Sequence, residues 1–338
     1  MRYHDVCLEA LGYEMPPFVV STESIFERIT PMLERLKIPV ESVVGASGVE
    51  EIRFWPEGTT VAETATRAAR KALAASHVDP SDIGLLISTS VCKDYIEPSM
   101  AALVHGELGL AEHCKNFDVG SACLGFFAGV SLAADYIDAG RIKAALIVDS
   151  ESSRTVVEST IEQLLSEKTT VSDFQLNFAT LTLGSGAVAA VLTHSSLSQS
   201  KHRIQGHVTL SSTKDRLLCL GNPNQMLVQA RPLLEAGLEL YEKTWKRSKE
   251  VFNWEVSDVD LFICHQVGAR HYSSLFDVIG VDIKNTFASY PFLGNVGPAS
   301  VPLTTALAIE AGRLNPGHRV CWLGIGSGLN CSIMDLAW

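Results

Sequence analysis

Cys123 lies in the run DVGSACLGFFAGVSLAADYIDAGR, where an extended stretch ends in Ser121 and Ala122 and a helical pattern begins. After it, Leu124, Phe127, Val130, Leu132, Ala134 and Ile137 recur at roughly helical spacing. A helix N-terminus carries partial positive charge and unpaired N–H groups. Both stabilise a thiolate, and the same N–H groups can hold a carbonyl oxygen that becomes negative. That arrangement suits acyl transfer through a cysteine nucleophile. A buried structural thiol is the alternative, and for a lone cysteine it is the commoner case. His265, in LFICHQVGARH, follows an apolar run that reads as a central strand, and a neutral imidazole donates one hydrogen bond and accepts another. Asn295, in YPFLGNVGPASVP, stands between Gly294 and Gly297, with Pro298 suited to a first helical turn. Two such donors can hold a thioester or enolate oxygen. Taken singly, a strand-end histidine is often a core residue and an asparagine beside glycine is most often a turn. GIGSG, residues 324–328, is a Gly-rich turn after a strand. Such turns cradle phosphate when a helix follows, but LNCSIMDLAW alternates like a last strand. The turn therefore reads as backbone lining the site, with the Ser327 N–H an oxyanion donor beside that of Cys123.

The elements that would position these residues come from a comparison of the two halves of the chain. SDIGLLIST (81–89) resembles SDVDLFICH (257–265), and YIDAGRI (136–142) resembles AIEAGRL (308–314). The first pair are apolar strands behind a Ser-Asp turn, each after a helix-like segment, and the second pair each close a helix with Gly-Arg before a following strand. Gly140 minus Cys123 is 17 positions, and Gly312 minus Asn295 is also 17. Cys123 and Asn295 thus hold equivalent places, each expected at the start of the equivalent helix, while His265 ends a strand where Thr89 ends its counterpart. Sites in open α/β sheets form beyond the carboxyl ends of strands. Two pseudo-symmetric units packed face to face would bring Cys123, His265 and Asn295 into one cleft. The expected halves are 1–195 and 204–338, joined by the polar THSSLSQSKHR (193–203). Residues 150–182 have no counterpart in the second half and read as an inserted helical cap. Its stripe Val156, Val157, Ile161, Leu164 and Leu165 is either plain packing or the wall of an acyl tunnel.

Composition narrows the classes. The 338 residues are 46% hydrophobic and 19% charged, enough for a large core or two fused domains. A net charge of −11 with no basic run argues against nucleic acid. An anionic substrate would need a local basic mouth. The eight cysteines include no C-x-x-C pair and no His-rich cluster stands at metal-ligand spacing, so no metal is expected. Reduced thiols inside apolar runs point to the cytoplasm. The N-terminus reads as no signal peptide, and no apolar run is long enough to span a membrane.

With those residues in place, the chain resembles the thiolase superfamily, in its branch near ketoacyl-acyl-carrier-protein synthase III. The likeness is greatest to OleA-type long-chain acyl-CoA condensing enzymes and rests on LLISTSVCKDYIEPS, DVGSACL, HQV, GNVGPASVP and LGIGSGLNCS. The resemblance implies a thiolase-like αβαβα five-layered α/β fold made of two pseudo-symmetric halves, and a homodimer. It implies that Cys123, His265 and Asn295 are the catalytic triad, with Cys123 acylated by a long-chain fatty acyl-CoA before a Claisen condensation with a second. Glu97, in KDYIEPS, matches the glutamate that such enzymes project into the neighbouring subunit's site. A decarboxylative synthase makes its enolate by losing CO2, whereas joining two unactivated acyl-CoAs requires a base for an α-proton. HQVG stands where ketoacyl synthase III carries HQAN, so Gly268 lacks the last amide. The family's entry motif is degraded to SGVEEIRFW. Arg53 and Arg270 are the candidates for coenzyme A phosphate, with Lys214 and Arg216 in reserve; coenzyme A enters as part of the substrate, and no other cofactor is implied. The implied product is a 2-alkyl-3-keto acid, passed to downstream enzymes of long-chain olefin or β-lactone synthesis. Two alternatives remain: a decarboxylative synthase III-like enzyme, and an inactive partner subunit of a heterodimer.

Overall fold

The structure is a computed structural model that describes residues 1–338. Its strands are β1 (Val6–Glu14), β2 (Phe18–Ser21), β3 (Glu51–Phe54), β4 (Ile83–Ser88), β5 (Lys115–Asp118), β6 (Ala144–Glu151), β7 (Gly186–His194), β8 (Arg203–Ser211), β9 (Cys219–Asn222), β10 (Gln225–Val228), β11 (Leu261–Cys264), β12 (Arg319–Gly326) and β13 (Asn330–Ala337). Its helices are α1 (Thr22–Arg28), α2 (Thr30–Arg35), α3 (Val61–Ser76), α4 (Met100–Leu108), α5 (Gly125–Asp138), α6 (Arg154–Leu164), α7 (Val171–Asn177), α8 (Ala230–Phe252), α9 (Ala269–Ile279), α10 (Tyr290–Leu293) and α11 (Ser300–Glu310).

The strand order is β11-β12-β13-β8-β1-β7-β6-β4-β5. In the first half β4 runs parallel to β6, which pairs antiparallel with β7, which pairs antiparallel with β1. In the second half β11, β12, β13 and β8 repeat that sequence of pairings. The two sets meet where Cys7 of β1 pairs with Arg203 of β8.

Strand alternation sends neighbouring residues into different layers. On β12, Val320 and Trp322 face a central core while Cys321 and Leu323 face an outer one. On β4, Leu85 and Ile87 face the same central core and Leu86 faces the other outer one. The central layer holds α5 and α11, whose apolar residues leave no wide polar face, as suits a helix covered on both sides. Helices α3 and α4 cover the first half of the sheet, and α8 and α9 the second. The result is the five-layered α/β arrangement. Each fully buried Leu, Ile or Phe in these layers contributes about 1.5–3 kcal/mol.

Local choices set the spacing. Helix α3 starts at Thr60, whose side chain accepts from the Glu63 N–H, and ends at His77 with φ 56°. It lies so close on β1 that a Cβ at Gly12 would stand 2.3 Å from the Ala72 nitrogen. Trp322 on β12 meets Phe126 and Phe127 edge-on at 6.3 and 6.1 Å, pinning the start of α5 against the second half.

The 150–182 region contains α6 and α7, but Ser150 and Glu151 complete β6. Val157, Ile161 and Leu164 pack with Ile25, Phe26 and Leu33 in a separate core, while Leu165 is exposed. That part of the stripe is packing. The antiparallel hairpin β9–β10 lies over this region, with the Thr180 hydroxyl donating to the Met226 carbonyl at 2.8 Å.

Candidate active site

Cys123 is the middle residue of a single 3₁₀ turn, Ala122–Leu124, between β5 and α5. Ala122 has φ 45°, a left-handed conformation rare outside glycine. The turn is clamped from both sides. A Cβ on Gly125 would stand 2.4 Å from the Thr89 carbonyl oxygen, and one on Gly326 would stand 3.3 Å from the Cys123 nitrogen. Glycines at these positions let the ends of β4 and β12 close on the cysteine. Ser327 follows directly in the turn after β12.

The expected thiolate is not the resting form. Burial pushes the Cys123 thiol up to about 12, with Cys219 and Glu151 adding to the rise and its own backbone N–H opposing it. Desolvation of the charged sulfur outweighs the favourable turn geometry.

His265 follows β11 immediately, and its N–H donates to the Leu323 carbonyl at 2.7 Å. It is buried, its Nδ1 has no partner, and the His271 ring lies 6.4 Å away. Burial, aided by His271, pulls its pKa down to about 3, so the ring is neutral. The neighbouring Gln266 ties this strand end to the loop that leads to Asn295. Its Nε2 donates to the Phe287 carbonyl at 2.8 Å, and its Oε1 accepts from the Ser289 and Tyr290 N–H groups at 2.8 and 2.9 Å.

Asn295 departs from the local expectation. It lies not at a helix start but in an extended bridge with Leu183, before the 3₁₀ turn Gly297–Ala299 and then α11. Its N–H donates to the Thr182 carbonyl at 3.0 Å, and its carbonyl accepts from Gly184 at 2.9 Å. Its Oδ1 accepts from the Gly297 N–H at 2.9 Å, which assigns the amide NH2 as the free donor. The Gly297–Ala299 turn packs against the Cys123 turn, and β11 carries His265 alongside β12. Cys123, His265, Asn295 and Ser327 thus converge beyond the carboxyl ends of β11 and β12.

The remaining candidates lie elsewhere. Glu97 is exposed on segment 91–99 and makes no hydrogen bond to its own site. Arg53, on β3, donates to the Pro16 carbonyl at 3.3 Å and pairs with Glu51 at 3.7 Å. Arg270, near the start of α9, lines an open groove of about 690 Å³ with Tyr272, Ile283 and Tyr290. Arg216 donates to the Thr213 carbonyl, and Lys214 lies in the same short turn.

Two carboxylates escaped the sequence reading. Asp149 and Glu151 end β6, both buried and both acting through space on Cys123. Asp149 accepts from the Thr89 hydroxyl at 2.6 Å, and burial beside Glu151 raises its pKa strongly. Glu151 accepts from the Val91 N–H at 2.7 Å and the Cys92 N–H at 3.2 Å, and burial raises it to about 7. Two buried carboxyls this close do not both ionise at neutral pH. The signal was present in the sequence: acids at positions i and i+2 closing an apolar run share one strand face. No group of three or more His, Cys, Asp or Glu is arranged to hold a metal ion.

Comparisons with known proteins bear on the family and the fold. Residues 117–212 match 3-oxoacyl-[acyl-carrier-protein] synthase III, and residues 250–338 match its C-terminal part. An acyl-CoA:acyl-CoA alkyltransferase of Xanthomonas campestris pv. campestris is 39% identical over 338 residues, covering 100% of both chains. One of Shewanella oneidensis is 36% identical over 350 residues, again covering 100% of both. A cysteine-to-serine variant of Xanthomonas campestris OleA, solved with bound lauric acid and lauroyl-CoA, superposes with a TM-score of 0.97 at 39% identity, covering 99% of this chain and 100% of that one.

Proposed function

Because the chain belongs to the acyl-CoA:acyl-CoA alkyltransferases, the OleA-type branch of the thiolase superfamily, we propose that it joins two long-chain fatty acyl-CoAs by a non-decarboxylative Claisen condensation. The observation that carries this reading is the clamped Cys123 turn packed against the Gly297–Ala299 turn, whose Gly297 N–H holds the Asn295 side chain, with neutral His265 at the end of the strand beside β12. Cys123 attacks the first acyl-CoA carbonyl, its proton leaves with the coenzyme A thiolate, and an acyl-Cys123 thioester remains. The N–H groups of Cys123 and Ser327 hold the transient oxyanion. The second acyl-CoA binds with its carbonyl oxygen on His265 and Asn295, which stabilise the enolate once an α-proton is removed. The α-carbon attacks the acyl-Cys123 carbonyl, the C–S bond breaks, and the thiolate leaves. The product is a 2-alkyl-3-ketoacyl-CoA, which water cleaves to the β-keto acid and coenzyme A. Arg270, on an open groove, is the better placed of the two arginines for coenzyme A phosphate, since Arg53 is already bonded.

The base is Glu97 of the partner subunit in a homodimer. Support comes from the tip that carries it: Tyr95 is 57% exposed and Ile96 97%, an apolar surface with no cover in its own chain. The enzyme works in the cytoplasm, in keeping with eight free cysteines and no helix long and apolar enough to cross a membrane. Its β-keto acid passes to enzymes that lead to an olefin or β-lactone.

Intact-protein mass spectrometry after incubation with acyl-CoAs of graded length tests the first half and measures the acyl length the site accepts. The expected result is one acyl group on Cys123 and none on Cys123→Ala. Glu97→Ala should still be acylated but form no C–C bond. Condensation that requires a malonyl thioester and releases CO2 would overturn the reading.

A further inference from the structure

Residues 91–99 leave β4 and enter α4, and they have fixed feet and a bare tip. At the start, the two oxygens of Glu151 accept from the Val91 and Cys92 N–H groups. Lys93 pairs with Asp118 at 2.8 Å. Asp94 accepts from the Val61 and Ala62 N–H groups at 2.7 and 2.8 Å, capping α3. At the far end the Ser99 side chain accepts from the Ala102 N–H and caps α4. Residues 95–98, including Glu97, are exposed.

Of these anchors only Glu151 is buried and also belongs to the Cys123 site. A Cβ on Gly297 would stand 3.6 Å from the Glu151 carboxyl carbon, and Gly297 is the residue whose N–H holds the Asn295 side chain. The Glu151 carbonyl in turn accepts from Trp55 Nε1 at 3.0 Å, so the strand end cannot swing away.

We propose that Glu151 is a positioning residue for Glu97: its carboxyl group joins the foot of segment 91–99 to the loop that orients Asn295. The segment each subunit lends is thereby referenced to that subunit's own active-site frame. A base must meet an α-proton within hydrogen-bond reach, and a misplacement of about 1 Å costs on the order of 100-fold in rate. This inference rests on the reading of Glu97 as the base.

The test uses Glu97→Gln, Glu151→Gln and the double variant, with acylation followed by mass and condensation by single turnover from preformed acyl-Cys123. Glu151→Gln should slow condensation about 10- to 100-fold more than it slows acylation. In the double variant the ratio of condensation to acylation should be no lower than in Glu97→Gln alone, because positioning has no further effect once the base is gone. Equal losses in acylation and condensation, or losses that multiply in the double variant, would overturn the proposal and leave the base assignment standing. Wild-type condensation by Glu97→Gln would sink the base assignment, and the proposal with it. Should Glu151→Gln fail to fold, Glu151→Met fills the same space, removes both acceptors and must show the same split.

Discussion

At the scale of single residues, the site is built from neutral groups. The Cys123 thiol is pushed up to about 12 and His265 down to about 3, so neither carries charge at neutral pH. In the proposed reaction, acylation moves the thiol proton as the C–S bond forms, and a neutral His265 is suited to donate to oxygen. The buried groups predict opposing pH effects on stability. His265 and His271 have lowered values, so the unfolded chain takes up protons below about 6.5 that the folded protein refuses. Their contribution is present above that pH and is lost as pH falls toward about 4 and 3. Glu151 has a raised value and acts in the other direction. Its contribution is full below about 4.5 and is lost as pH rises through about 7. Urea denaturation between pH 4 and 8 should show that Glu151→Gln steepens the gain of stability with rising pH and that His271→Asn flattens it. Parallel curves for both variants and the parent would contradict these assignments.

At the scale of elements, glycine decides how closely the pieces approach. A Cβ at Gly184 would stand 1.8 Å from the Leu293 carbonyl oxygen, in the bridge that holds Asn295. Gly184→Ala should therefore shift that loop at a cost of about 1–3 kcal/mol and slow condensation more than Cys123 acylation. Gly12→Ala forces α3 off β1, far from the chemistry. It should lower the melting temperature by several degrees while leaving the ratio of acylation to condensation unchanged. Thermal melts read beside the two rates separate these cases. The internal repeat made the order of pairings legible in the sequence, because matched strands and helices recur around the two Gly-Arg pairs. Local conformation did not transfer as well. Equal spacing from those pairs places Cys123 in a turn against α5 but Asn295 in an extended bridge before α11. The bridge exists because Thr182 and Gly184 offer it main-chain partners from the other half.

At the scale of the whole molecule, the proposed base is missing from the single chain's site. Two inactive variants therefore predict a diagnostic outcome. Co-refolding Cys123→Ala with Glu97→Ala should restore condensation, because a mixed dimer has one site with both an intact Cys123 and a lent Glu97. Random pairing sets the yield at about a quarter of the parent activity. No recovery, with mixed dimers demonstrated by native mass spectrometry, would place the base in its own subunit.

The sequence alone pointed to the proposed nucleophile, its two proposed donors and the repeat that relates them, because residue type, motif and spacing are properties of the chain itself. It also carried the family likeness. The tertiary structure decided the protonation of the site, since a pKa depends on burial and on which charges lie nearby. It decided that Asp149 and Glu151 sit behind Cys123 and that Glu151 holds the foot of the segment bearing Glu97. Those contacts join residues about 60 positions apart along the chain, through a parallel strand pair no local pattern could place.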